Sequence, residues 1–332
     1  MAERLLDVVN LRTNFRTTGG LVQAVRGIDL HIDEGEFIGI IGESGCGKSV
    51  TMLSILKLLE DTGAVRAEKI EFAGKDLKQV TRRGMRKILG RDIGMIFQDP
   101  MTSLNPLFTV GNQLTEPLRQ HLKMGKMAAK KRAVEMLDLV GISEPEKRLK
   151  QYPHELSGGM RQRVMIAIAM CCNPKLLIAD EPTTALDVTI QAQIMELMTA
   201  LKDKLNASVV LITHDLGVIA TTCTRVMVMY GGMIMEEGAV EDIFYRPMHP
   251  YTEGLLLSVP KDASGIKERL IPIPGSPPDL LNPPAGCPFA ARCKKAMKIC
   301  NMCPPSLINV GSSHRSACWL LHRQVQAKEQ NA

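Results

Sequence analysis

The chain has 332 residues, a length that predicts about two domains, and its hydrophobic content of 45% is ordinary for a globular protein. No apolar run approaches the roughly 18 residues of a membrane-spanning helix, and the acidic start MAERLLD is unlike a signal peptide, so we expect a cytosolic chain or one held at a membrane only by partners. The net charge of +6 is moderate and only 4% of the residues are aromatic, which disfavours nucleic acid as a partner.

The first strands are predicted from alternating apolar and polar residues. From Leu5 to Ile32 the alternation is broken at 17–20, which indicates an antiparallel hairpin. Phe15 stands just before the break and suits either an adenine-stacking position or the core.

A glycine-rich loop follows the hairpin. Phe37–Ile41 predicts a buried strand, GESGCGKS occupies Gly42–Ser49, and the apolar residues of Met52–Leu59 are spaced like one face of a helix. The pattern GxxxxGK[ST] is typical of a phosphate-binding loop, because its glycines let backbone N–H groups converge on an anion at a helix N-terminus. We expect Lys48 to reach the β- and γ-phosphates and Ser49 to ligate Mg²⁺.

Several later strands are predicted to end in polar residues. The predicted strands are 69–73, 92–97, 176–179, 209–213, 225–229 and 232–235. Ligands of parallel sheets bind at the carboxyl ends of the strands, which makes Gln98, Asp180, Glu181 and His214 candidate site residues. Asp180 suits the Mg²⁺ of a bound phosphate, and Glu181 suits a base that orients the attacking water.

A helical insertion and a second anion site lie between these strands. Helical periodicity over 110–152 indicates the insertion, and LSGGMRQR follows it. Ser157 is predicted to cap a helix whose first turn exposes the N–H groups of Gly158 and Gly159. A chain that folds around one nucleotide has no obvious use for this site, so we infer that it meets the nucleotide of another subunit.

In this order the motifs resemble those of the nucleotide-binding subunits of ATP-binding-cassette (ABC) transporters, over roughly residues 3–250. The motifs are the phosphate loop at Gly42–Ser49, the glutamine loop at Gln98, the signature at Leu156–Met160, the acidic strand end at Asp180 and Glu181, the aspartate loop at Asp187 and the switch histidine at His214.

The resemblance implies an α/β fold, a P-loop NTPase of the ABC type. Its core would combine a RecA-like α/β subdomain, an antiparallel β subdomain and a helical subdomain. We expect residues 1–250 to form this ATPase domain, with the helical subdomain at about 100–172, and residues 251–332 to form a small Cys-rich extension.

The family also implies two subunits arranged head to tail, with two ATP molecules sandwiched between one phosphate loop and the other subunit's signature. The implied catalytic residues are Glu181 as base, His214, Gln98 and Lys48. The implied ATP contacts are Phe15, Gly42, Ser44, Gly45, Cys46, Gly47, Lys48, Ser49, Val50, Gln98, Ser157, Gly158, Gly159, Asp180 and Asp187. The implied Mg²⁺ ligands are Ser49, Gln98 and Asp180.

Cys46 departs slightly from the family pattern, in which serine or glycine is common at this position. A thiol beside Lys48 at a helix N-terminus is expected to have a lowered pKa and to be reactive.

The tail resembles the C-terminal extension of the oligopeptide, dipeptide and nickel importer ATPases, through HPYTEGLL and a proline-rich approach to CPFAARC. That branch implies two permease subunits, an external peptide-binding receptor and a second ATPase subunit, at the cytoplasmic face of the cell membrane. The prolines at 272–284 favour an extended linker.

Five of the nine cysteines crowd the tail, and clustered thiols in a reducing compartment indicate a metal site. The spacing is wider than in paired zinc knuckles, so it favours a [4Fe–4S] cluster over Zn²⁺. The predicted ligands are Cys287, Cys293, Cys300 and Cys318, with Cys303 as a spare.

The sequence therefore predicts an ATPase that drives import of dipeptides or oligopeptides. The alternatives are a nickel-chelate importer, a non-transport ABC ATPase acting on nucleic acid or the ribosome, and a transporter gated by the metal or redox state of the cysteines.

Overall fold

The structure is a computed structural model that describes residues 3–99, 103–184, 186–258 and 272–322. The chain forms two compact units. The first comprises Met1–Leu6, His31–Phe37 and Glu71–Ile212, and the second comprises Asp7–Leu30, Ile38–Ile70 and Thr213–Ala332.

The strands are β1 (Arg4–Thr17), β2 (Gly20–Asp33), β3 (Phe37–Ile41), β4 (Gly63–Arg66), β5 (Lys69–Phe72), β6 (Lys75–Asp76), β7 (Ile93–Ile96), β8 (Leu176–Asp180), β9 (Ser208–Ile212), β10 (Arg225–Tyr230), β11 (Met233–Ala239), β12 (Ile308–Asn309) and β13 (Arg315–Ser316).

The α-helices are α1 (Lys48–Ile55), α2 (Arg82–Met85), α3 (Val110–His121), α4 (Lys126–Leu139), α5 (Pro145–Arg148), α6 (Gly158–Met170), α7 (Val188–Leu205), α8 (Leu216–Thr222), α9 (Val240–Tyr245), α10 (Pro250–Leu257) and α11 (Lys298–Met302).

The predicted hairpin is confirmed as β1 and β2, which are neighbours in an antiparallel sheet that also contains β5 and β6. On β2 the alternating residues Ile28, Leu30 and Ile32 are all buried, as one apolar face of such a strand requires. Strand β4 pairs with β1 in the register Phe15↔Gly63, which places Phe15 at this edge of the sheet.

In the first unit, β8 pairs in parallel with both β7 and β9. All the residues of β8 and β9 are buried, which explains why these strands are continuous apolar runs without alternation. The register Asp180↔Ile212 places the polar end of β8 level with the end of β9.

The helical insertion also belongs to the first unit and is confirmed as α3, α4 and α5. Leu114 and Leu118 of α3 and Met136 and Leu137 of α4 are fully buried. Met127, which fits the same periodic pattern, is 79% exposed, because the first turn of α4 lies outside the packed face.

In the second unit, β3 pairs in parallel with β10, and β10 pairs in antiparallel with β11 across a bulge at Val228/Met229. Strand β13 of the C-terminal extension pairs with β11 in the register Glu237↔Arg315. The extension therefore continues the sheet of this unit.

Helix α1 is shorter than its apolar pattern predicts. It ends at Ile55, and Lys57 adopts a left-handed conformation with φ 55°. Leu58 and Leu59 are consequently not on a helix face, and Leu58 is 42% exposed.

The described stretch 272–289 contains neither helix nor strand. It is not free of the second unit, because the carbonyl of Leu280 accepts from the N–H of Gln23 and that of Pro284 accepts from Arg26 Nη2. Across the described ranges, no helix combines the length and the apolar character needed to cross a membrane.

Candidate nucleotide site

The phosphate loop Gly42–Ser49 connects β3 to α1. Gly42 has φ 152° and Gly47 has φ 103°, conformations that side chains rarely adopt. A Cβ atom at Gly42 would lie 2.2 Å from the carbonyl oxygen of Met229, and one at Gly47 would lie 2.5 Å from that of Ala24. Only glycine therefore fits at these two positions, and the neighbouring backbone fixes the shape of the loop.

The Lys48 side chain folds back over the loop. Its Nζ donates to the carbonyl oxygens of Gly42 at 2.8 Å and Glu43 at 3.1 Å, and the residue is 7% exposed. Ser44 and Gly45 are exposed, and Ser49 and Val50 are partly exposed in the first turn of α1. The loop thus combines an ammonium group with the N-terminus of a helix, and both favour an anion.

Phe15 and His214 are the other predicted site residues of the second unit. Phe15 is half-buried on β1, so burial alone does not distinguish an adenine-stacking position from a core position. His214 is exposed and directly precedes Asp215, whose Oδ1 caps α8 by accepting from the N–H of Gly217 at 2.8 Å.

The acidic end of β8 belongs to the first unit. Asp180 is its last residue and is 7% exposed. Glu181 follows with φ 47°, and its N–H donates to the carbonyl of Ile212 at 2.8 Å. Its Oε2 accepts from Gln98 Nε2 at 2.8 Å and from Thr184 Oγ1 at 2.9 Å. The structure thus brings together the predicted Gln98 and Glu181, and adds Thr184, which the sequence motifs did not single out.

The signature begins α6 as predicted. Ser157 is the N-cap, and its Oγ accepts from the N–H of Met160 at 3.4 Å. Gly158 is exposed and Gly159 is partly exposed in the first turn. The buried Gln162 donates to the carbonyl of Pro182, which ties this helix to the segment after Glu181.

Asp187 has a structural role of the same kind. It is the N-cap of α7, and its Oδ1 accepts from the N–H of Ile190 at 2.9 Å.

The prediction of a reactive Cys46 is wrong. The residue is only 4% exposed, and burial raises the pKa of its thiol although Lys48 Nζ lies 3.9 Å from Sγ. The sequence showed the lysine and the helix N-terminus, but the neighbours that bury the thiol come from distant parts of the chain.

The four tail cysteines predicted as ligands are close enough to influence one another electrostatically, whereas Cys303 is exposed. Burial, and then neighbouring thiols, raise the pKa of Cys287 and Cys318 to about 11, and the pKa of Cys293 is raised in the same way. The N–H of Cys287 donates to the carbonyl of Cys300 at 2.7 Å. Among the described residues, however, no group of three or more His, Cys, Asp or Glu side chains is arranged to hold a metal ion, so the structure does not support the predicted cluster or zinc site.

One contact of the phosphate loop was not predicted by any sequence motif. The guanidinium of Arg292, in the extension, forms a two-point ion pair with Glu43, with Nη1 2.7 Å from Oε2 and Nη2 3.0 Å from Oε1. In the sequence, the only sign of this contact is the acidic residue within the loop, and that residue alone does not identify Arg292 as its partner.

Two family models match the chain. The model described as "ABC transporter" matches residues 25–184, and the model described as "Oligopeptide/dipeptide transporter, C-terminal region" matches residues 235–300. The first covers the phosphate loop, Gln98, the signature and Glu181.

Similar proteins match over nearly their whole length. The chain is 57% identical to the oligopeptide transport ATP-binding protein OppD of Bacillus subtilis, over 96% of this chain and 89% of that protein. It is 55% identical to the dipeptide transport ATP-binding protein DppD of the same organism, over 98% of this chain and 97% of that protein.

A solved structure is also similar. It is the ATP-binding cassette MJ0796, described as a dimeric post-hydrolysis state bound to ADP and Pi, with 30% identity and a TM-score of 0.64 over 71% of this chain and 98% of that chain. The P-loop NTPase fold of the ABC type is therefore confirmed, and the matches to the ABC transporter model and to these ATP-binding proteins make the protein an ATPase. The chain belongs to the ATP-binding subunits of the oligopeptide/dipeptide ABC transporter family.

Proposed function

We propose that this chain binds and hydrolyses ATP to drive the import of dipeptides or oligopeptides through a membrane transporter. The observation that carries the proposal is the combination of a complete ATP-binding motif set with an extension matched by the oligopeptide/dipeptide C-terminal model. Nickel chelates are the alternative solute.

The second unit supplies the phosphate contacts in this proposal. Glycine is required at Gly42 and Gly47 by close backbone contacts, which fix the shape of the loop. A glycine-rich loop at a helix N-terminus binds phosphate through backbone N–H groups. Lys48 would move from the carbonyls of Gly42 and Glu43 onto the β- and γ-phosphates, and Ser49 would ligate Mg²⁺. Mg²⁺ held there would neutralise charge that develops on the phosphates.

The first unit supplies the base. Two donors, Gln98 Nε2 and Thr184 Oγ1, converge on Glu181 Oε2 and fix the orientation of the carboxylate. Such a carboxylate can accept a proton from an attacking water. Asp180 and Gln98 are the proposed further Mg²⁺ ligands, and His214 is proposed to steady the water and the γ-phosphate.

The signature is proposed to act on the ATP of a second ATPase subunit. Ser157 fixes the start of α6, so that the N–H groups of Gly158 and Gly159 are at a positive helix terminus. The dimeric state in which the similar cassette MJ0796 was solved supports this proposal. Either a copy of this chain or a paralogous ATPase subunit would complete the same sandwich.

Two permease subunits are the proposed membrane partners, and they would hold the chain at the cytoplasmic face. A groove of about 530 Å³ in the first unit offers a docking place, because Phe97 and Phe108 line it and are 44% and 51% exposed. Phe97 directly precedes Gln98, so movement of a docked segment would reach the residue that orients Glu181. The peptide-binding receptor would act on the other side of the membrane.

A [4Fe–4S] cluster, with Zn²⁺ as the alternative, is a separate proposal for the tail cysteines. It is supported by the chemistry of four neighbouring thiols. Anaerobic purification followed by metal and sulfide analysis tests this proposal. Iron and sulfide in stoichiometric amounts support the cluster, stoichiometric zinc rejects the cluster in favour of the zinc site, and metal-free protein rejects both.

Uptake of labelled peptide into proteoliposomes tests the main proposal. The vesicles contain the permeases, this chain and the second ATPase subunit, with ATP on the side of the ATPases and receptor on the other. We expect peptide uptake that stops when Lys48→Ala replaces the wild-type chain. Uptake of a nickel chelate but not of peptides would reject peptide import, and equal peptide uptake by the Lys48→Ala vesicles would reject the role of ATP.

A further inference from the structure

Glu43, the second residue of the phosphate loop, is held at three points within the second unit. Its carboxylate pairs with Arg292 through both oxygens, at 2.7 and 3.0 Å. Its N–H donates to the Tyr251 hydroxyl at 2.9 Å, and its carbonyl accepts from Lys48 Nζ at 3.1 Å. The same residue thus links the extension to the lysine that binds phosphate.

Every N–H group of the Arg292 guanidinium donates a hydrogen bond. Besides the two bonds to Glu43, Nη1 donates to the Tyr230 hydroxyl at 2.9 Å, Nη2 to the carbonyl of Ile273 at 3.1 Å and Nε to the carbonyl of Pro274 at 2.9 Å. The five N–H groups of a guanidinium are therefore all satisfied. The side chain is 6% exposed, so water screens the pair with Glu43 only weakly.

Burial alone would lower the pKa of Arg292. The hydrogen bonds to Glu43 and Tyr230 outweigh that effect, and the net pKa is raised. Arg292 is therefore cationic at any physiological pH.

Three aromatic rings hold the partners of Glu43 in place. Tyr230, at the end of β10, Tyr251, in the first turn of α10, and Phe289 of the extension are 1%, 0% and 3% exposed. The ring centroids of Tyr230 and Tyr251 are 4.5 Å apart, and each lies 5.3 Å from that of Phe289. A change in the extension is thus transmitted through packed groups rather than through a flexible surface contact.

The pairing of Glu43 matters for ATP binding because its carboxylate is negatively charged. An unpaired carboxylate in this loop would repel the phosphates of ATP and compete with them for Lys48. The ion pair neutralises that carboxylate and directs it away from Lys48, while Tyr251 fixes the peptide N–H at the entrance of the loop.

We propose that Arg292 and Tyr251 are positioning residues through which the C-terminal extension holds the phosphate loop in the conformation that accepts ATP. The proposal rests on ATP binding by this loop. It assigns the extension a role in nucleotide affinity, in addition to any role in the transporter.

The test is the affinity of the full-length chain for MgATP, measured by titration calorimetry, with the thermal midpoint of each nucleotide-free variant recorded alongside. Arg292→Ala removes one partner of a two-point ion pair that is buried on the arginine side, and we expect it to weaken binding about tenfold. Arg292→Lys keeps the charge without the planar fork, and we expect an intermediate loss. Tyr251→Phe removes one hydrogen bond from a nearly unchanged ring and should weaken binding about fivefold.

Lys295→Ala is the matched control. Lys295 lies three residues further along the extension and pairs with Glu253 at 3.0 Å on the surface, away from the phosphate loop. The control should bind MgATP like the wild type. Steady-state hydrolysis provides a second measurement, in which Arg292→Ala should raise the KM for ATP more than it lowers kcat.

The proposal is overturned if folded Arg292→Ala or Tyr251→Phe binds MgATP as the wild type does, or if Lys295→Ala weakens binding as much as they do. If Arg292→Ala does not fold, Arg292→Lys and Tyr251→Phe decide the matter alone. A wild-type chain that fails to bind MgATP would instead reject the proposed function on which this inference depends.

Discussion

Glu181 is the residue proposed to act as the base in hydrolysis. The bonds from Gln98 and Thr184 orient its carboxylate, and a base of this kind acts on the water rather than on ATP. Replacing Glu181 with Gln keeps the size and one oxygen acceptor but removes the base. We expect hydrolysis by the assembled transporter to fall at least about a hundredfold while MgATP binding persists.

The control for this prediction is Glu196→Gln, a change at an exposed position of α7 in the same unit. Its hydrolysis rate should equal that of the wild type. Retention of wild-type hydrolysis by Glu181→Gln would show that another group activates the water.

Cys46 gives a prediction opposite to the one drawn from its sequence context. Because its thiol is buried and its pKa is raised, it should be modified slowly at neutral pH although it lies beside Lys48. Cys303 is exposed and should react first. Maleimide labelling followed by peptide mass spectrometry should find modification at Cys46 at least about tenfold slower than at Cys303.

Cys46→Ser is the control: it should leave the rapid labelling of Cys303 unchanged. Labelling of Cys46 as fast as that of Cys303 in the folded, nucleotide-free chain would contradict the buried position.

At the scale of elements, the start of α10 should make stability depend on pH. His249 caps this helix by accepting from the N–H of Tyr251 at Nδ1, at 3.0 Å, and burial lowers its pKa to about 3. Below the unfolded pKa of about 6.5, only the unfolded chain binds the proton, so stability present above that pH is lost as pH falls toward 3. Lowering the pH from 7.5 to 5 should remove about 2 kcal/mol through this group.

Denaturant unfolding of the wild type and of His249→Asn at several pH values measures this contribution. Asn keeps an N-cap acceptor but does not titrate, so its free energy of unfolding should change less over the same range. Equal pH dependence of the two proteins would show that His249 is not held neutral.

Local motifs were the part of the site that the sequence could predict. Gly42–Ser49 and the Ser157 cap are defined by neighbouring residues, because a phosphate loop and a helix N-terminus are built from consecutive backbone groups. The order of strand ends also predicted the shared position of Gln98 and Glu181, since adjacent parallel strands end at one edge.

Long-range contacts were not predictable in the same way. Arg292 and Glu43 are 249 positions apart, and neither belongs to a motif that names the other. Helix α1 ends at Ile55 although apolar spacing continues, because Lys57 turns the backbone into the left-handed region. Burial of Cys46 and the arrangement of the tail thiols likewise depend on tertiary neighbours that no spacing reveals.

At the scale of the whole molecule, the chain is proposed to be half of an ATP sandwich whose closure drives transport. The signature can be mutated without changing the phosphate loop of the same chain. Ser157→Arg places a bulky cation at the start of α6, so it should block closure over the partner's ATP while this chain's own loop still binds nucleotide.

Hydrolysis of ATP by the reconstituted transporter, measured with and without peptide-loaded receptor, tests this coupling most directly. We predict that the loaded receptor raises the rate for the wild type, and that the increase is clearly smaller with Ser157→Arg although MgATP still binds. A wild-type rate that does not respond to the loaded receptor, or an equal response by Ser157→Arg, would contradict the account.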